Sequence, residues 1–310
     1  MKHFIDLKDV TAAELSDLLD LAVKMKHETK TGVPHPILAG KTLGMIFAKS
    51  STRTRVSFEV GMFQLGGHAL YLNTQDIHLG RGETIHDTAK VMSRFLDAIM
   101  IRTYAHQDVL DLASYGSIPI INGLTDLMHP CQAVADLMTV REHFGTLKGL
   151  KLAYVGDGNN VANSLLQACA RVGMDVAVAA PAGYTCDPDC IADAQEQAAL
   201  QGSRVILTED PDEAATDADV LYADTWVSMG QEKEKASRLA IFQSYQVNDR
   251  LMALAHPGAV FLHCLPAYRG YEVTASIIDG PASLVFDEAE NRLHAQKAIM
   301  ASLMAGSSQE

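Results

Sequence analysis

The stretch KTLGMIFAKSSTRTRVSFEVGMFQLGGHALYL, residues 41–72, reads as strand, helix, strand. Lys41 to Ala48 is a short apolar run of the length of a buried strand. Thr54 to Leu65 reads as a helix, and Gly66-Gly67 stops it. Ala69 to Leu72 is a second short apolar run. A helix between two strands is the connection that parallel strands require, because antiparallel neighbours need only a tight turn.

The alternation extends in both directions. Thr11-Ala12-Ala13-Glu14 forms a capping-box pattern, and Leu15, Leu18, Leu19, Ala22 and Met25 recur behind it at helical spacing before Gly32. Downstream come a helix over 84–95, a strand over 97–101, a helix over 107–114 and a strand over 118–121. Gln132 to His143 reads as a helix, Gly145 and Gly149 break the pattern, and a strand from Lys151 to Val155 opens a second series. Further strands are predicted near 175–180, 204–207, 219–223 and 259–262, with helices between. The expected fold class is α/β, with two open parallel-sheet domains flanked by helices and a boundary near 140–149.

The 310 residues are 48% apolar with only 10 prolines, enough to fill two ordinary cores. The formal charge of −13 argues against a broad nucleic-acid face or adhesion to anionic membranes, since no run of lysines and arginines offsets it. An anionic ligand would have to be met by arginines concentrated in one pocket. Met1-Lys2-His3-Phe4-Ile5-Asp6 becomes charged too soon for a signal peptide, and no stretch of about 18 apolar residues follows. A soluble, cytoplasmic protein is expected. Cys131, Cys169, Cys186, Cys190 and Cys264 are an odd, scattered set, which predicts reduced thiols. Cys186 and Cys190 flank a turn at Pro188 without a second ligand pair, so no metal is expected there.

Ser50-Ser51-Thr52-Arg53-Thr54-Arg55 lies between a strand and a helix, where free backbone N–H groups and the helix dipole attract an anion. Arginine suits phosphate because its planar fork donates two parallel bonds. The competing reading is a plain helix cap with exposed arginines. Arg102 follows the apolar run 98–101, and His129-Pro130-Cys131-Gln132 starts a helix. Open parallel sheets bind ligands beyond the carboxyl ends of their strands, so these segments are able to converge.

Phe47 to Glu59 (FAKSSTRTRVSFE), Arg102 and His129 to Asp136 (HPCQAVAD) resemble the carbamoyl-phosphate signatures of the aspartate/ornithine carbamoyltransferase family. The resemblance implies that Ser51, Thr52, Arg53 and Thr54 bind phosphate, that Arg102 and His129 reach the carbamoyl oxygen, and that Gln132 faces the carbamoyl nitrogen. It implies that His78 serves a neighbouring subunit's site and that Arg292, in Glu290-Asn291-Arg292 at the opening of the last helix, contacts the carbamoyl group. It divides the chain into a carbamoyl-phosphate domain, 1–140 completed by the helix 290–310, and an ornithine domain, 141–289. The active site is expected in the cleft between them, within a homotrimer or a multiple of trimers.

Gly156-Asp157-Gly158-Asn159-Asn160 follows a strand like a dinucleotide turn, whose glycines admit a ligand close to the backbone. Val161 stands where the third glycine would be, and the next strand ends in Ala-Pro rather than an acidic residue, which argues against NAD. The resemblance assigns Asn160 to the amino-acid acceptor. Asp224-Thr225-Trp226-Val227-Ser228-Met229-Gly230 places a carboxylate at a strand end beside a glycine-containing loop, suited to an ammonium. In the family the Asp, Ser, Met and Gly of this loop mark the ornithine-using members, and Asp224, Ser228 and Met229 are read as ornithine-binding. His263-Cys264-Leu265-Pro266 follows the strand 259–262. Strand alternation would turn His263 away from Cys264, against a thiol-nucleophile reading. By the resemblance, Cys264 lies near the ornithine side-chain amine and the Leu265 carbonyl near the carbamoyl group, with both also on the carbamoyl-phosphate side. Leu265-Pro266 is a candidate cis peptide. The pattern departs from the family at Ala267-Tyr268-Arg269, where an arginine directly after the proline is common.

The implied reaction moves the carbamoyl group of carbamoyl phosphate to the δ-amine of ornithine, without metal or organic cofactor. Arg102, His129 and Thr54 would stabilise the developing oxyanion and Arg53 the leaving phosphate. Asp224 and Cys264 are the candidates for taking the amine's proton. Competing readings are a sibling enzyme using acetylornithine, putrescine or aspartate, a cysteine-dependent amide hydrolase, and a non-catalytic binding member.

Overall fold

A computed structural model describes residues 1–75 and 82–305. It divides into two compact units, Met1–Met138 with Asn291–Glu310, and Thr139–Glu290. The first unit opens with α1 (Ala12–Lys30), capped reciprocally: Thr11 Oγ1 accepts the Glu14 N–H at 3.2 Å, and the Glu14 carboxylate accepts the Thr11 N–H at 3.0 Å. Such a cap is worth about 1 kcal/mol. There follow β1 (Thr42–Phe47), α2 (Thr52–Gln64), β2 (His68–Asn73), α3 (Ile85–Met92), β3 (Ala98–Arg102), α4 (His106–Tyr115), β4 (Ile120–Leu124) and α5 (Pro130–Phe144).

The four strands are parallel in the order β2-β1-β3-β4. β1 is buried from Leu43 to Phe47, as befits an inner strand covered on both faces, whereas the edge strand β2 is only partly covered. Ile46, Ile99, Ile101 and Ile120 pack with Ala89 of α3 and Val109 and Leu112 of α4. The chain leaves β1 toward one edge of the sheet and returns through β3 on the other side. The loops after β1 and β3 therefore diverge, and a crevice opens at the carboxyl ends of these two strands.

The second unit runs β5 (Lys151–Val155), α6 (Asn160–Arg171), β6 (Asp175–Ala179), α7 (Pro188–Gln201), β7 (Val205–Thr208), α8 (Pro211–Ala215), β8 (Val220–Tyr222), α9 (Lys235–Phe242), α10 (Asp249–Met252), β9 (Val260–Leu262) and α11 (Ala275–Ile278), and the last helix, α12 (Val285–Met304), passes into the first unit at Asn291. Its sheet is parallel in the order β7-β6-β5-β8-β9, with the reversal between β5 and β8. Its core includes Val155, Leu221, Trp226, Phe242 and Phe261.

The fold is the expected one, two parallel-sheet units flanked by helices. The last helix, however, starts at Val285 rather than with Glu290-Asn291-Arg292. Asp287 and Glu288 occupy its first turn, where carboxylates suit the positive end of the helix dipole. Arg292 thus sits in the helix body. Cys186 and Cys190 are buried on either side of the α7 cap, where Asp187 accepts from Asp189 and Cys190 N–H and Pro188 takes the first helical position. Burial pushes the Cys186 thiol up to about 12. Among the described residues no helix is long and apolar enough to cross a membrane.

Candidate active site

In the first unit the site is built at the β1/β3 crevice. Ser51 caps α2: its Oγ accepts the Thr54 N–H at 3.3 Å and donates to Thr54 Oγ1 at 3.1 Å. Thr54 is fully buried, and Arg292 Nη2 donates to its hydroxyl at 2.9 Å, so the last helix delivers a guanidinium to the first turn of α2. The two arginines of the Ser-Thr-Arg-Thr-Arg run part company. Arg53 is half-buried, while Arg55 is exposed, bonded to Glu59 at 2.9 Å and laid 3.8 Å from the Tyr71 ring centre. Ser51 is thus a helix cap and Arg55 an exposed arginine, while Arg53 is the more covered of the two.

Arg102 ends β3 in register with Phe47, and its carbonyl accepts the Ala48 N–H at 2.8 Å. His129 precedes α5 and is buried. Burial, then Arg292, then Arg102 push its imidazole well below the ordinary 6.5. The ring is therefore neutral, with one nitrogen a donor and the other an acceptor. Gln132, one turn on, donates its Nε2 to Asp136 Oδ1 at 2.8 Å. Cys131 is no nucleophile: its thiol donates to the Asn122 carbonyl at 3.3 Å, and burial pushes it up to about 12.

Lys49 was not singled out by sequence. It is 5% exposed, ion-paired to Asp126, and sits 4.3 Å from the Tyr104 ring centre. One ammonium thus ties the β1 loop to the loops after β3 and β4. His78 lies outside the described residues.

In the second unit the groups gather after β5, β8 and β9. Asn159, not Asn160, caps α6: its Oδ1 accepts the Val161 N–H at 2.9 Å while its Nδ2 donates to Asp224 Oδ2 at 2.8 Å. The other oxygen, Asp224 Oδ1, accepts from Cys264 Sγ at 3.3 Å. Asn160 occupies the first position of α6 and is half-buried. Ser228 is half-buried, its N–H donating to Gln231 Oε1 at 3.0 Å, and Met229 is exposed. Gly158 does serve a close approach, but to its own chain: a Cβ there would meet Cys186 N and Thr185 C at 2.4 Å.

His263 and Cys264 are not held apart by strand alternation, because β9 ends at Leu262. One ligand atom each of Asp224, His263 and Cys264 lies within 4.8 Å of the others, the one grouping of metal-binding side chains among the described residues. His263 is nonetheless occupied. Its Nδ1 accepts the Leu265 N–H at 2.9 Å and its Nε2 lies 3.3 Å from Glu272 Oε1, which leaves no lone pair to activate the thiol. Leu265-Pro266 is cis, and Leu265 itself holds φ +57°, a left-handed conformation rare for a branched side chain. Arg269 is turned to Asp279 at 2.5 Å.

Arg238 of α9 joins two of these loops. Only 3% exposed, it donates through Nε to the Trp226 carbonyl and through Nη2 to Asp157, with Tyr184 and Phe242 rings 4.9 and 5.2 Å away. Burial, opposed by Arg238, pushes the Asp157 carboxyl up to about 6.

Known proteins are similar to this chain over nearly its whole length. Residues 2–142 match the model of the aspartate/ornithine carbamoyltransferase carbamoyl-P binding domain, and residues 148–303 match that of the Asp/Orn binding domain. The ornithine carbamoyltransferase of Caldicellulosiruptor saccharolyticus is 57% identical, with 99% of each chain covered. The solved ornithine carbamoyltransferase of Pyrococcus furiosus superposes with a TM-score of 0.96 at 56% identity, covering 98% of this chain and 97% of that one. The Giardia lamblia ornithine transcarbamoylase structure still gives 0.89 at 35% identity over 99% of both chains. With two domain models matched in succession and relatives this similar end to end, the chain belongs to the aspartate/ornithine carbamoyltransferase family.

Proposed function

We propose that this chain transfers the carbamoyl group of carbamoyl phosphate to the δ-amine of L-ornithine, giving L-citrulline and phosphate, in arginine biosynthesis or its reverse. The first unit binds carbamoyl phosphate through Ser51, Thr52, Arg53, Thr54, Arg102, His129, Gln132 and Arg292, and the second binds ornithine through Asn160, Asp224, Ser228, Met229 and Cys264. The observation that carries the reading is the neutral His129 imidazole influenced by both Arg102 and Arg292, with Arg292 bonded to the buried Thr54 of the phosphate turn.

The chemistry follows from these groups. Ornithine's amine is protonated near neutral pH, its reference pKa being roughly 10, and must lose a proton before its lone pair attacks the carbamoyl carbon. Asp224 is the acceptor for that proton, or hands it on, since Cys264 already donates to it. As the carbon becomes tetrahedral, its oxygen gains charge, which Arg102, His129 and Arg292 stabilise; the bond to the phosphate oxygen then breaks and Arg53 receives the departing dianion. Nδ gives its remaining extra proton to the departing phosphate, which leaves as the hydrogen phosphate dianion as citrulline forms.

The protein acts as a cytoplasmic homotrimer or a multiple of it. An apolar stripe on α2 supports assembly: Val56, Val60 and the 80% exposed Phe63 recur at helical spacing on the face opposite buried Phe58 and Met62.

Citrulline production by the purified protein in chelator, with ornithine, acetylornithine, putrescine and aspartate as acceptors, tests the reading. Ornithine alone should give rapid product. Arg53→Ala and Arg102→Ala should each cost about 10²-fold or more in kcat while the fold survives. Cys264→Ala should raise the ornithine KM and spare carbamoyl-phosphate binding. A folded Arg102→Ala protein with normal kcat would reject the donor site.

A further inference from the structure

We infer that Asp136 is a specificity-determining positioning residue: it turns the Gln132 amide so that Oε1 is the atom offered to the donor substrate, selecting a carbamoyl group over an acetyl group. The inference deepens the donor-site reading above and rests on it. α5 begins at Pro130, so Gln132 lies in its first turn and Asp136 one turn further along the same face. Gln132 Nε2 donates to Asp136 Oδ1 at 2.8 Å, and both side chains are 1% exposed. A carboxylate only accepts, so the amide meets it nitrogen first and its oxygen is directed away. The turn is itself pinned: the Gln132 and Ala133 N–H groups donate to the His129 carbonyl at 3.1 and 3.3 Å. Asp136 therefore sets which end of the amide appears on the turn that also carries His129.

The choice of end matters chemically. Carbamoyl phosphate presents two N–H donors where acetyl phosphate, of nearly the same shape, presents a methyl group. An amide oxygen rewards the donors and is left unsatisfied by the methyl, whereas an amide nitrogen would set N–H against N–H. A glutamine free to turn offers both ends and discriminates less.

Acetyl phosphate, measured as a competitive inhibitor against carbamoyl phosphate at saturating ornithine, is the probe, and inorganic phosphate reports on the phosphate end. For Asp136→Asn, whose side chain either donates or accepts, the ratio of acetyl phosphate Ki to carbamoyl phosphate KM should fall by about tenfold. The phosphate Ki should not move. Gln132→Met should lower the same ratio, and adding Asp136→Asn to it should change nothing more, because the effect runs through the amide. An unchanged ratio in Asp136→Asn beside a lowered one in Gln132→Met overturns the inference and leaves the donor-site reading standing. Unchanged ratios in both overturn the role of Gln132 and the inference with it. Equal weakening of all three ligands in Asp136→Asn marks a structural role and also overturns it. Should Asp136→Asn not fold, the unsubstituted protein decides: the Gln132 side-chain amide protons, assigned in 15N-glutamine-labelled protein by their loss in Gln132→Met, should exchange slowly, and exchange as fast as in exposed glutamines overturns the inference.

Discussion

Burial and the charges of Arg292 and Arg102 hold the His129 imidazole well below 6.5, so it is uncharged at neutral pH. In the unfolded chain the same ring takes up a proton near 6.5. Between the depressed folded value and that figure the native state binds fewer protons, so this group's contribution to stability is full above the unfolded value and is lost as pH falls below it. His129→Gln should therefore flatten the acid side of the stability profile, measured by urea unfolding at about pH 5 and about pH 7. An unaltered slope would mean that the folded ring already accepts the proton. Gly158 makes a second case at this scale. Its lost side chain is replaced by the 184–186 backbone, so Gly158→Ala should destabilise the protein by about 1–3 kcal/mol, read as a lower urea midpoint with citrulline formation falling in parallel. In the sequence this glycine looked like an opening for a ligand. Only the fold reveals that a distant segment fills it.

Among the elements, the reversals of strand order explain why these residues and not others come together at the strand ends. Strand and helix positions were legible because they depend on local spacing, and the Ser-Thr-Arg-Thr-Arg turn was legible because its groups are consecutive. Which side of β1 receives β3 leaves no local trace, nor does the pairing of Arg238 with Asp157, 81 positions away. The start of α12 is unmarked in the sequence, since Leu284 just before it offers no capping side chain. Arg238 pulls the Asp157 loop and the Trp226 loop to one guanidinium, and those loops carry Asn160 and Ser228. Asp157 titrates near 6, so acid should slacken this clasp: the ornithine KM should rise as pH drops through about 6 while the carbamoyl-phosphate KM stays level. Stability moves the other way. A carboxyl raised above its unfolded 3.8 gains protons more readily when folded, so its contribution improves as pH falls from about 6 toward 3.8. Arg238→Lys, which keeps the charge but not the fork, should raise the ornithine KM roughly tenfold at neutral pH. A flat ornithine KM in the unsubstituted protein, or an unchanged one in Arg238→Lys, would remove the clasp from substrate binding.

For the whole molecule, net charge and composition indicated which partners to set aside and nothing about which to expect. The assembly proposed above places the α2 stripe against another copy. Phe63→Asp should therefore yield a smaller species by light scattering, and a trimer of unaltered mass would show that this face is not an interface. One long-range bond also has a consequence for how the protein is made. Thr54 receives its guanidinium from 238 positions downstream. A nascent chain must therefore be made as far as Arg292 before Thr54 gains this partner, and fragments that stop short of it should bind carbamoyl phosphate more weakly than the whole chain.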